Sequence, residues 1–290
     1  MIGLALEAGG IKGAAHIGAL QALEEEGICI DCISGSSAGS IVAAMYAIGY
    51  KPIEILQIFR NYCNSINDFD RKIPFKIIGL AFTGKLKLRG LAKGNKLESI
   101  LCDLCLRKRV KNIADVTFPL AIPTVDIYTG ETIYYLNYDL EKNNSKYISY
   151  GCKYKDSGCL PSIIRASSSI PAVFEPKYID NRCLVDGGVK VACPVNVLKE
   201  MGADKVLAIS FINDKASSIT QKCNMIDITL STFDIMSEEI KKHELKEADY
   251  TVRIDASNVM TMDCSKINYM ANLGYNMTKK YIEEIKKSLL

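Results

Sequence analysis

The sequence predicts an α/β protein, and two features near the N-terminus carry that prediction. The first is an order of elements: an apolar run at residues 2–6, a Gly-rich turn, an amphipathic helix, and a second apolar run at residues 28–33. Strand, turn, helix, strand is a βαβ unit, whose strands pair in parallel through a right-handed crossover. The second is Gly35-Ser36-Ser37-Ala38-Gly39, which joins that second strand to the apolar helical run at residues 41–48. A serine on a sharp strand-to-helix turn needs neighbours without bulk, and G-x-S-x-G supplies them. The helix that starts there favours negative charge developing at its N-terminus.

Composition narrows the function classes. The formal charge of +3 over 290 residues does not argue for a nucleic-acid partner. No apolar run reaches the ~20 residues that span a bilayer. The N-terminus reads as a buried first strand, because no basic stretch precedes it and no cleavage site is evident. Eleven cysteines are present. Their odd number and the length of the chain argue against a disulfide framework, so most read as small core residues in a reducing cytoplasm. Cys29 with Cys32, and Cys102 with Cys105, have C-x-x-C spacing, but the pairs lie far apart and the second falls on a helical pattern. Both read as core packing, with no metal site.

The remaining elements follow in order. After the first strand comes Glu7-Ala8-Gly9-Gly10-Ile11-Lys12-Gly13, then a helix with Ala14, Ile17, Leu20, Ala22 and Leu23 as its apolar stripe. A dinucleotide fingerprint fails here, because Ala8 takes the place of its first glycine and no acidic residue ends the second strand. A P-loop fails for want of Gly-Lys-Ser/Thr. The better reading aims the amides of Gly9 and Gly10 at the adjacent strand end, where Ser37 sits, as an oxyanion hole. Residues 52–61 and 96–106 read as helices. Between them, residues 71–96 hold eight basic side chains and no acidic one, interleaved with apolar and aromatic residues. That stretch fits an anionic membrane surface, a lid, or a solvated loop with ordinary core contacts. Residues 119–126 and 131–138 read as a hairpin.

The second half adds a partner for the serine. Residues 160–169 read as a helix carrying Arg165. A hairpin turning at Asp180-Asn181 then ends in Asp186-Gly187-Gly188. An aspartate at a strand end before two glycines suits a carboxylate in close contact with another backbone. A serine nucleophile needs a base, and the chain has only two histidines. His16 reads as facing away from much of its helix's apolar stripe, and His243 lies in a charged, solvent-facing run. The order Ser37, Asp186, His243 matches an α/β-hydrolase triad, but that fold places several strands before its nucleophile and here only two precede it. A Ser37–Asp186 dyad needs fewer assumptions, with burial raising the aspartate pKa and strengthening it as a base. Residues 204–211 read as a buried strand, residues 225–247 and 265–290 as amphipathic helices, and residues 251–255 as a short strand between them. The methionines of this last part read as core, with some available to an acyl pocket. No repeat or linker divides the chain, so a single domain covers 1–290, with a motif-bearing core at 3–210.

Taken together, these motifs resemble the patatin-like phospholipase family. Residues 7–13 correspond to its D-G-G-G-x-R/K-G motif, residues 35–39 to its nucleophile elbow, residues 165–171 to its helix and proline stretch, and residues 186–188 to its D-G-G/A motif. Glu7 and Ala8 depart from the first pattern. The resemblance implies a three-layer α/β/α fold around a mostly parallel sheet. It also implies hydrolysis of lipid acyl esters with Ser37 as nucleophile and Asp186 as general base. The oxyanion group is Gly9, Gly10, Lys12, Gly13 and Ala38, and Gly35, Gly39, Gly187 and Gly188 support the turns. Lys12 suits either a phosphate head group or a brace for its loop. No cofactor or metal is required, and the expected partner is a lipid or acyl ester; the charge pattern of 71–96 leaves peripheral membrane contact open beside the lid and solvated-loop readings. A lipid acyltransferase on the same dyad and a non-catalytic lipid-binding module remain the rival readings.

Overall fold

A computed structural model of the chain describes residues 1–63, 89–140, 151–212 and 225–290. Its centre is a mixed, mostly parallel sheet in the order β5-β4-β3-β2-β1-β8-β9. The parallel heart comprises β1 (Ile2–Leu6), β2 (Cys32–Gly35), β8 (Lys205–Ile212) and β9 (Tyr250–Asp255). On the other side of β2, β3 (Leu120–Asp126) runs parallel to it and pairs antiparallel with β4 (Thr132–Leu136). Strand β5 (Cys152–Lys155) forms one edge.

The expected hairpin at residues 180–181 is β6 (Lys177–Ile179) and β7 (Arg182–Asp186), with Asp180 and Asn181 both at positive φ. Two central residues in that region match the right-handed twist of the flanking strands. Strand β7 also pairs with the far end of β3, Asp186 opposite Thr124. Because β2 pairs only with Leu120 and Ala121 at the near end, Asp186 comes to lie beyond the C-terminal end of β2.

Side chains alternate between two apolar layers, as a two-sided sheet requires. Leu4, Leu6, Ile33, Leu207 and Ile209 face α1 (Ala14–Glu25), α2 (Ala38–Ala47), α3 (Pro52–Tyr62), α4 (Asn95–Arg107) and α8 (Ile267–Lys280). Ala5, Cys32, Ala121 and Ala208 face α6 (Val195–Glu200). The architecture is therefore the expected α/β/α arrangement. The other helices are α5 (Leu160–Ser167), α7 (Met225–Glu244) and α9 (Ile282–Leu289).

Three details differ from expectation. The strand expected over residues 28–33 begins only at Cys32, because β1 starts at Ile2 and its ladder starts at Gly3 with Cys32. The C-terminal helical run breaks at Tyr281 into α8 and α9. The cysteines are not all reduced core residues: Cys63, at the end of α3, forms a disulfide with Cys264, before α8. Their separation of 201 residues gave no spacing signal. Among the described residues no helix is long and apolar enough to cross a membrane. Residues 71–88 of the basic stretch lie outside the described residues.

Candidate active site

Ser37 sits between the end of β2 and the start of α2, with φ 53° and ψ −123°. An L-residue rarely adopts that conformation, which persists only where its surroundings impose it. The glycines impose it sterically: a Cβ at Gly35 would lie 2.2 Å from the carbonyl oxygen of Gly39, and one at Gly39 2.5 Å from that of Leu6. Hydrogen bonds complete the restraint. The Ser36 hydroxyl donates to Val191 O at 2.5 Å, and the Ser40 hydroxyl donates to Ser37 O at 2.6 Å.

Asp186 ends β7 and is 4% exposed. Its Oδ1 accepts from the Gly188 amide at 2.8 Å, and its own amide donates to Ser169 O at 3.1 Å. Burial lifts its pKa to about 7, with the Ser37 hydroxyl and the Gly188 amide opposing the rise. Oδ2 completes no hydrogen bond among the described residues, although the hydroxyl of Ser37 lies close enough to favour the ionised carboxylate. A near but unseated hydroxyl is common before substrate arrives, since catalytic hydrogen bonds tighten in the loaded complex.

The Gly-rich turn follows β1. Gly10 has φ +57°, and a Cβ there would lie 2.3 Å from Thr261 O. The Ile11 amide donates to Thr261 O at 2.9 Å and the Lys12 amide to Gly9 O at 3.2 Å. The amides of Gly9, Gly10 and Ala38 donate to no backbone acceptor among the described residues. They are the donors left available beside Ser37, while Lys12 has only its side chain to offer. Burial lowers the Lys12 pKa to about 8, against the pull of Glu7.

Two clefts meet at Ser37. One, of about 840 Å³ including its mouth, is apolar and is lined by Ile41, Ile58, Phe59, Ile100, Leu104 and Phe174 among others. The Cys63–Cys264 disulfide and Met262 also border it. The other, of about 590 Å³, carries Lys12, Asp186, Asp234 and Ser237. No group of three or more His, Cys, Asp or Glu side chains gathers where it could hold a metal ion, among the described residues.

A Gly-rich turn, a serine on a strained elbow and a buried aspartate, in this chain order, all fall within residues 4–199, which match one family model, Patatin-like phospholipase. The chain belongs to this family. Among curated proteins, it is 26% identical over 215 residues to an uncharacterized NTE family protein of Mycobacterium bovis, covering 74% of this chain and 50% of that protein. It is 27% identical over 212 residues to human patatin-like phospholipase domain-containing protein 6, covering 72% of this chain and 13% of that one. Lysophospholipase NTE1 of Mycosarcoma maydis is 28% identical over 211 residues, covering 72% and 9%. The chain thus spans about half the length of the first relative and far less of the other two. Among solved structures, VipD from Legionella pneumophila overlaps 97% of this chain and 66% of its own, at TM-score 0.47 and 15% identity.

Within this patatin-like site, several residues gain roles that the letters alone did not give. The Ser167 hydroxyl accepts from the Ser37 amide at 3.3 Å, the Ser168 hydroxyl donates to Ser37 O at 3.4 Å, and Ser169 O holds the Asp186 amide. Three serines in succession therefore touch both members of the Ser37–Asp186 pair. Arg165 is buried behind them. It donates to the carbonyls of Lys93, Gly94 and Glu175 and lies over the Phe174 ring at 5.1 Å. The described end of the basic stretch is thereby fastened to the wall of the apolar cleft, with Ala92 bridging to Phe174.

Neither histidine lines the clefts at Ser37. His243 is exposed, as expected. His16 is fully buried, contrary to expectation, with its ring against Phe211 and Nε2 bonded to Glu7 O at 2.8 Å. Burial lowers its pKa to about 4.

Proposed function

We propose that the chain is a serine hydrolase of lipid acyl esters, acting through Ser37 and Asp186. The observation that carries this reading is the meeting of an apolar and a polar cleft at the Ser37–Asp186 pair. A fatty acyl chain occupies the apolar cleft and the alcohol side of the ester lies toward Lys12. Asp186 takes the hydroxyl proton as Ser37 Oγ attacks the carbonyl carbon. The amides of Gly9, Gly10 and Ala38 hold the resulting oxyanion. Collapse expels the alcohol, which recovers the proton from Asp186, and leaves an acyl ester on Ser37. Asp186 then deprotonates a water that attacks the ester carbonyl, and returns that proton to Ser37 Oγ as the acyl–oxygen bond breaks and the fatty acid leaves. Every step draws on groups within the site.

The test is hydrolysis of a series of acyl esters of rising chain length, by the wild type and by Ser37→Ala. Turnover that rises with chain length and vanishes in the variant supports the proposal. A folded Ser37→Ala with unchanged turnover refutes it. Adding an alcohol acceptor separates hydrolysis from acyl transfer, since only a transferase diverts product into a new ester. We assign contact with the lipid surface to residues 71–96, which makes the enzyme peripheral. Vesicle sedimentation then shows tighter binding to anionic than to neutral lipid, and equal binding removes the electrostatic part of that assignment.

A further inference from the structure

The Gly-rich motif opens with Glu7 where the family pattern has aspartate, and the chemistry above makes no use of that side chain. Its surroundings explain the longer residue. Glu7 Oε2 accepts from the Ser210 hydroxyl at 2.6 Å and from the Phe211 amide at 2.7 Å, at the end of β8. Oε1 accepts from Lys241 Nζ at 3.1 Å, on the last turn of α7. One carbon more than aspartate lets the carboxylate span from β1 to both. Lys241 is itself buried, and donates also to Glu238 Oε1 at 2.5 Å and to the Phe211 carbonyl. One turn further along α7, Glu244 Oε2 accepts from the Cys193 amide at 2.8 Å. The neighbouring Ala192 carbonyl accepts from the Ala8 amide at 2.9 Å.

The last turn of α7 therefore grips two loops at once. Lys241 holds Glu7, two residues before Gly9, and Glu244 holds the loop that follows Asp186. Phe211 transmits the first grip, because a Cβ at Gly9 would lie 2.9 Å from its ring. Both gripping residues fall outside the 4–199 match to the family. We propose that Lys241, seconded by Glu244, is a positioning residue that fixes the oxyanion loop against the Ser37–Asp186 pair, an inference that rests on the dyad reading above.

A merely structural ion pair behaves differently on removal. Deleting one partner strands a buried charge, whereas replacing both by neutral side chains of similar size often leaves stability intact. The experiment compares Lys241→Met with the double variant Glu7→Gln/Lys241→Met, reading Tm, and kcat and KM on a short-chain ester. The expected result is a double variant with Tm close to wild type, KM within twofold, and kcat still lowered tenfold or more. A double variant that regains wild-type kcat along with wild-type Tm overturns the proposal. Should the double variant not fold, hydrogen exchange on the wild type decides. The hydrogen-bonded amides of Ala8, Ile11 and Lys12 must then open together with the last turn of α7, and a loop that opens while α7 stays protected overturns the proposal. If wild type fails to react at Ser37 at all, the dyad reading falls, while the exchange result still judges the grip of α7.

Discussion

The two clefts that meet at Ser37 are built from different parts of the chain and by different chemistry. The apolar one draws its walls from α2, α3, α4 and residues 170–174, whose side chains are there to exclude water. The polar one draws on the turn after β1, the residues around Asp186 and one face of α7, and it concentrates buried charge. The contrast teaches why a carboxylate suits the role of base proposed for it. Asp186 lies on the polar side with one oxygen held by Gly188, yet it is buried enough for its pKa to rise to about 7. A solvated aspartate would be too weak a base to take the proton of a serine hydroxyl.

Four measurements break or sharpen this contrast, the largest effect first. Asp186→Asn removes the base and keeps the Gly188 contact, so kcat should fall on the order of 10³-fold or more. The same variant should raise Tm at pH 8. Burial lifts the folded pKa of Asp186 from 3.8 to about 7. Ionised Asp186 therefore costs stability, an expense absent below its unfolded pKa and complete above its folded one, and asparagine removes it. An unchanged rate in this variant would transfer the base to another group.

Second, kcat/KM of the wild type should fall about tenfold per pH unit below about pH 7, as Asp186 takes up a proton, and level off above it. A limb set near pH 4 would mean that burial does not tune the aspartate. Third, Ile100→Trp fills the apolar cleft from a position with some room, since Ile100 is only half-buried. Turnover of a long-chain ester should drop about tenfold and that of a butyryl ester stay within about twofold. Equal losses on both would deny the cleft its acyl role. Fourth, Lys12→Met should lower turnover of a phosphate-bearing substrate a few-fold relative to an uncharged ester, because a buried ammonium favours an anionic group nearby. No difference between the two substrates would reduce Lys12 to a brace for its loop.

What was legible in the sequence depended on how local its cause is. The elbow at residues 35–39 was legible because its glycines answer to atoms four residues away or on the adjacent strand. The hairpin ending at Asp186 was legible for the same reason, from Asp180-Asn181 and the alternation around it. The layers of the sheet were legible because Leu4 and Leu6 point one way and Ala5 the other. Contacts closed by tertiary structure were not. Glu7 and Lys241 are 234 positions apart, and nothing in either segment announces the pair. His16 faces away from much of the apolar stripe of α1, but that side is not solvent: α1 is buried from Ala14 to Leu20 and also packs against α8. Here the Glu7 carbonyl satisfies one ring nitrogen and Phe211 covers the ring. The serines at residues 167–169 could have been found, since three hydroxyls in succession at a helix end commonly cap or fasten a neighbouring backbone.

The central claim is that Ser37 is an activated nucleophile served by Asp186. Labelling with a fluorophosphonate probe, read by intact mass, tests it most directly on wild type, Ser37→Ala and Asp186→Asn side by side. The account predicts one adduct on wild type, none on Ser37→Ala, and labelling slowed at least a hundredfold on Asp186→Asn. Folded wild-type protein that gains no adduct even in the presence of micelles, or a Ser37→Ala variant that still gains one, would contradict it.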